Sequence, residues 1–108
     1  MDQLQLKEKF GANYVMYELA GDLNSYTASE FKEKVFENIK NMNVVVDLSQ
    51  ILSIDSTGIG IIMAGFNDGE EYSHKFFLMN PSPASRTALE ETGFDNVFTY
   101  IHSVTEIG

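Results

Sequence analysis

The residues best equipped for chemistry sit together in one tetrapeptide, Asp55-Ser56-Thr57-Gly58. A serine hydroxyl set between an acid and a glycine can serve as a nucleophile, as a helix cap or as the acceptor of a phosphoryl group. Nucleophilic catalysis needs a base within hydrogen-bond reach and a third group to orient that base. The chain supplies no Gly-x-Ser-x-Gly elbow, no His-Glu-x-x-His pair and no Walker A loop. Its two histidines, His74 and His102, lie far apart at the ends of apolar runs and read as surface residues. Gly58-Ile59-Gly60 is a fragment of a dinucleotide fingerprint, and Asp47 and Asp55 are two carboxylates without further ligands. There is no cysteine, so disulfides and thiolate chemistry are excluded. The expectation is a protein that is not an enzyme and has no catalytic residue, metal or cofactor of its own. For Ser56 two readings stay open on these residues: an N-cap that accepts a backbone N–H, or an exposed phosphoacceptor.

A phosphate on Ser56 would add roughly −1.5 to −2 charge. At a helix N-terminus the dipole and the free N–H groups favour an anion. The fold should therefore tolerate the modification. Its effect should fall on whatever docks there, through bulk and through repulsion added to that of Asp22 and Asp55.

The elements that must position Ser56 can be read from periodicity. Leu4 and Leu6 alternate with polar residues, which predicts a strand near 3–9. Gly11-Ala12-Asn13 is a turn signal, and Tyr14 to Ala20 predicts a second strand in a hairpin with the first. Gly21-Asp22-Leu23-Asn24 should break that strand. Thr27-Ala28-Ser29-Glu30 has the form of a capping box with Thr27 as N-cap. Ala28, Phe31, Val35, Ile39 and Met42 then share one face of a helix over 28–41. Val44 to Leu48 is a nearly continuous apolar run, as in a parallel strand buried on both faces. A polar connection leads to Ser56, followed by a helix over 58–70 in which Ile59, Ile62 and Met63 are assigned to the core. Lys75 to Met79 predicts a strand, Ser82 and Pro83 a capped helix that Gly93 ends, and Val97 to Ile101 a last strand. The tail from Ser103 to Gly108 should form a turn or short helix. The order β-β-α-β-α-β-α-β implies an α/β domain with a mixed, mostly parallel sheet and an N-terminal antiparallel hairpin.

A chain of 108 residues with 44% hydrophobic content is one globular domain. Its net charge of −9 repels phosphate backbones, so nucleic acid is not an expected partner. The start carries no basic segment or long apolar run, and the apolar stretch from Ile59 to Phe66 is broken by Gly60 and Gly65. Neither a signal peptide nor a membrane span is expected, which predicts a cytoplasmic protein.

Five segments, taken in order, resemble the STAS-domain family and, within it, the bacterial anti-sigma factor antagonists. Gly21-Asp22-Leu23-Asn24-Ser25-Tyr26-Thr27-Ala28 is similar to the family's G-E-[IL]-D-x-x-[TS]-A segment. Val44 to Ser49 resembles its Asp-Leu-Ser strand, and Ile54 to Gly60 its D-S-[ST]-G-L-G hallmark. Asn80-Pro81-Ser82-Pro83 and Glu91-Thr92-Gly93-Phe94 match its signals around the third helix. The resemblance implies a single STAS-like domain over 1–108, usually monomeric, that works by partner switching. The unphosphorylated antagonist binds an anti-sigma factor, which is also a serine kinase of the GHKL type, and the sigma factor is released. The kinase phosphorylates Ser56, the complex parts, and a PP2C-type phosphatase resets it; ATP belongs to the kinase. The implied partner-binding residues are Asp22, Leu23 and Asn24 on the neighbouring loop, with Asp55, Thr57 and Gly58 shaping the serine's turn. Asn24 stands where the family usually has Asp, the stretch Asn67 to Tyr72 is unusually acidic, and Thr57 offers a second hydroxyl. The resemblance also allows an alternative role as an accessory or scaffold subunit of a lipid-transport or signalling assembly, which would not need an acceptor serine.

Overall fold

The computed structural model describes residues 2–107. The elements run β1 (Leu4–Phe10), β2 (Tyr14–Leu23), α1 (Ser29–Asn38), β3 (Asn43–Ile54), α2 (Ser56–Tyr72), β4 (Phe76–Met79), α3 (Pro83–Glu91) and β5 (Thr99–Ile101). Short 3-10 turns occupy Asp95–Val97 and Val104–Ile107. The five strands stand in the sheet in sequence order. β1 and β2 form the antiparallel hairpin, and every other neighbouring pair is parallel. The class and order are those expected from the periodicity. Among the described residues no helix is long and apolar enough to cross a membrane.

Alternation along the strands sorts the core onto two faces. Val15, Tyr17, Leu19, Val44, Val46, Leu48, Phe76 and Leu78 pack on one face against Phe31, Val35 and Ile39 of α1, Ile61 and Ile62 of α2 and Leu89 of α3. On the other face Val45, Phe77, Met79 and Ile101 form a smaller cluster, closed by Val104 and Ile107 of the last turn. The strand at Val44–Val46 is thus buried on both sides, as its apolar run required. Polar groups enter the core at Tyr17, Ser82 and Ser85. The Tyr17 hydroxyl donates to the Lys34 carbonyl at 3.3 Å and accepts from Asn38 Nδ2. Burial pushes this phenol well above its ordinary range, so it stays neutral.

The main departure from the sequence reading is at the ends of β2 and β3. Gly21 does not break β2; the strand continues to Leu23. Gly21 has φ of +108°, and a Cβ there would lie 2.3 Å from the Gln3 carbonyl oxygen, so glycine keeps the edge strand close. β3 does not stop at Leu48 but runs on to Ile54. Its pairing with β2 shifts register twice, between Glu18 and Ala20 and between Gly21 and Asp22, and each time β3 carries one residue more than its partner. These bulges explain why Ser49, Gln50 and Ser53 look like a loop. The residues facing the main core run Val44, Val46 and Leu48 at steps of two, then Ile51 and Ile54 at steps of three.

The start of α1 also differs. Thr27 is not an N-cap: Ala28 holds that position without a side-chain bond, and no capping box forms. Ser82, by contrast, caps α3 as predicted, with Pro83 at the first helical position.

Candidate functional site

β2 and β3 run parallel and end side by side, with Leu23 paired to Ile54. The chain leaves both strands at the same edge of the sheet, so the segment after Leu23 and the start of α2 are neighbours. The Asp55 amide donates to the Leu23 carbonyl at 3.1 Å and continues this pairing one step beyond the sheet.

Asp55 holds the site together. It is the N-cap of α2, with extended backbone, and its Oδ1 accepts from the Gly58 amide at 3.1 Å. Its Oδ2 accepts from the Ser25 amide at 3.3 Å. One carboxylate therefore caps the helix and ties down the neighbouring loop. Of the two readings left open for Ser56, the cap is excluded, because Asp55 takes that role and Ser56 becomes the first helical residue. Ser56 is exposed, and its hydroxyl stands outside the cap, at the mouth of a groove between α2 and α3 lined by Ile59, Gly60, Met63, Ala88 and Thr92. A phosphate there would sit at the positive end of a seventeen-residue helix. Thr57 is exposed beside it.

The adjoining loop is stitched in several places. Asp22 accepts from the Ser53 hydroxyl at 2.6 Å and donates its amide to the Gln3 carbonyl at 2.7 Å. Asn24 Oδ1 accepts from the Tyr26 amide at 2.9 Å, an Asx turn, while its Nδ2 donates to Asp2 at 2.9 Å. An aspartate at position 24 would face Asp2 with like charge, so the amide suits this loop. Thr27 Oγ1, freed from capping, accepts from the Asn24 amide at 3.0 Å and donates to the Asp22 carbonyl at 2.7 Å. The Asx turn leaves Tyr26 pointing outward, 87% exposed.

The structure brings Asp22, Asn24, Asp55, Ser56 and Thr57 to one end of the sheet, and it separates two others from the surface. Leu23 is 0% exposed and lies in the core, so it offers no contact to a partner. Gly58 is buried above it; a Cβ there would come within 2.8 Å of the side chains of Leu23 and Ile54. Both support the loops from below. Of the three α2 residues assigned to the core, only Ile62 is fully buried, while Ile59 and Met63 also line the groove beside Ser56. Ile61, absent from that assignment, is a core residue. His74 is half-buried, with Nδ1 2.6 Å from the Ile39 carbonyl oxygen, so only His102 is an exposed histidine, its Nδ1 3.7 Å from Glu106 Oε2. Asp47 and Asp55 are held roughly 20 Å or more apart along β3. Among the described residues no group of three His, Asp or Glu is placed to hold a metal.

The family described as STAS domain matches residues 3–107. The chain belongs to the STAS-domain family. This STAS domain is 24% identical over 96 residues to an anti-sigma-B factor antagonist of Listeria monocytogenes, covering 87% of this chain and 83% of that protein. An anti-sigma factor antagonist from Mycobacterium paratuberculosis superposes with a TM-score of 0.81 at 18% identity, over 95% of this chain and 89% of the other. The antagonist SpoIIAA superposes with a TM-score of 0.80 in its unphosphorylated form, over 95% and 93% of the two chains. In its phosphorylated form, from Bacillus, the TM-score is 0.76 over 95% and 96%. Identity is 18% in both cases, so these structures speak to the fold.

Proposed function

We propose that this STAS domain is an anti-sigma factor antagonist that switches partners through the phosphorylation state of Ser56. In the unphosphorylated state it binds an anti-sigma factor that is also a GHKL-type serine kinase, and the sigma factor is released. Transfer of the ATP γ-phosphoryl group to Ser56 Oγ, with loss of the hydroxyl proton, ends the complex. A PP2C-type phosphatase hydrolyses the phosphoester and restores binding. The domain acts as binder and substrate, not as catalyst, and works in the cytoplasm.

The observation that carries this reading is the division of labour at the start of α2. Asp55 caps the helix, so the Ser56 hydroxyl stays exposed and outside the cap. Asp55 and Glu91 line the groove with Ser56 and Asp22 lies on the adjoining loop, and a phosphate would add to their charge where a partner must approach. Asp22, Asn24, Asp55 and Thr57 form the contact rim, and Leu23 and Gly58 hold it from beneath. The names of the relatives support the same reading, since the Listeria protein is an anti-sigma-B factor antagonist.

The test is incubation with ATP and each GHKL-type serine kinase of the same genome, followed by intact mass and site mapping. One phosphate on Ser56 of the wild type and none on Ser56→Ala is expected. Phosphate on Thr57 alone, or on no residue with any kinase, overturns the switch and leaves the scaffold role.

A further inference from the structure

The geometry points to a docking surface anchored on Tyr26, with Leu52 as its second apolar contact, for a partner that presents an apolar pocket rimmed by Lys or Arg. This rests on the reading of Ser56 as the switch and names the chemistry that the bound kinase must bring.

Tyr26 is the most exposed of the large hydrophobic residues, at 87%. It is not on a loose loop. The Asx turn of Asn24 fixes its amide, and the preceding Ser25 amide is fixed by Asp55. Leu52 follows at 74% exposure, in the stretch where β3 carries its second extra residue. In the pairing, Gly21 faces Ile51 and Asp22 faces Ser53, which leaves Leu52 unmatched and turned outward beside Asp22. A leucine and a tyrosine left in solvent gain little from folding, and neither side chain supports the core.

Both residues fall within one interface footprint of Ser56. Four steps of the chain lead from Leu52 to Ser56, at most about 14 Å. A standard interface covers about 800 Å² on each partner, a patch of roughly 16 Å radius. Tyr26 adjoins the residue bonded to Asp55. The rim is one sign of charge: Asp2, Asp22 and Asp55 lie here, and none of the seven Lys and Arg residues falls within 22–28 or 52–59. An aromatic anchor inside an acidic rim is complementary to a pocket ringed by cations.

The probe is the purified kinase that phosphorylates Ser56 in the experiment above, with binding measured by calorimetry on the unphosphorylated domain. Tyr26→Ala is expected to weaken binding about 10- to 30-fold and Leu52→Ala about 3- to 10-fold. Phe10→Ala, at the hairpin turn on the far end and also exposed, should bind as wild type. Wild-type affinity should fall about tenfold between roughly 50 and 300 mM salt. Urea midpoints equal to wild type would show that the exposed-site variants are folded. If the wild type is phosphorylated and bound while Tyr26→Ala binds within about twofold, the anchor is wrong and the switch stands. If no kinase binds or modifies the wild type, both fall.

Discussion

Of the serines that stand at helix starts in this molecule, the structure treats Ser56 and Ser82 in opposite ways. Ser82 caps α3: its Oγ accepts from the Ser85 amide at 3.2 Å and shares a hydrogen bond with the Ser85 hydroxyl at 2.9 Å, and it is 7% exposed. Ser56 opens α2 one position later in the helix, because Asp55 has taken the cap. The first hydroxyl is fully engaged and sealed; the second is in solvent with its capping duty removed. At the start of α2 the predecessor thus decides that the serine is available. Asp and Ser are comparably good caps, so placing Asp before Ser releases the hydroxyl without leaving the helix end bare.

The comparison can be broken at either serine. The largest effect is expected from Ser56→Ala, which should abolish phosphate incorporation by the cognate kinase, while Ser82→Ala leaves it intact. Comparable phosphorylation of the two variants would sink the distinction. In urea unfolding the order should reverse. Ser82→Ala removes a cap and one of the two hydrogen bonds of the buried Ser85 hydroxyl, which keeps its bond to the Ser82 carbonyl, for a loss of about 2 kcal/mol; a loss as small as that of an exposed surface change would mean that the Ser82–Ser85 pair is not part of the stability. Asp55→Ala removes the cap and the tie to Ser25, and should lower stability by about 1 kcal/mol. It should also slow phosphorylation, since the Ser56 hydroxyl becomes the nearest replacement cap. A faster rate would refute that competition. The smallest effect is expected from Ser56→Asp, within about 0.5 kcal/mol of wild type, because an anion is accepted at a helix N-terminus. A large drop in its urea midpoint would show that the fold, and not only the partner, refuses the charge.

Much of this was legible in the sequence. The strand at Val44–Val46, the helix face of Phe31, Val35 and Ile39 and the Ser82-Pro83 start rest on strong local patterns that tertiary packing did not override. The site was legible in outline, since Asp55-Ser56-Thr57-Gly58 and Gly21 to Ala28 stood out before any coordinates. Its wiring was not. The period-2 signal is lost wherever β3 takes an extra residue, so Ser49 to Ser53 read as a loop and the adjacency of Asp22 and Ser53 was hidden. Thr27 satisfied the pattern of a capping box, but its hydroxyl found closer partners in the Asp22 and Asn24 backbone. Leu23 reads as a contact because it sits in the segment that resembles the family's loop, although an apolar residue paired beside Ile54 belongs to the core. Tyr26 was passed over because a lone aromatic in a loop carries no periodicity.

The two extra residues in β3 set a parity. A strand shows alternate faces, so one insertion inverts everything downstream and a second restores it. Ile51 reaches the core because of the first insertion, and Ile54 faces it again because the second follows. A single-residue deletion between Leu48 and Ser53 would turn the serine and its loop toward the opposite side of the sheet, whereas a paired deletion would shorten the strand and keep the facing. The facing of the strand end that leads to Ser56 is written in the evenness of a number of residues.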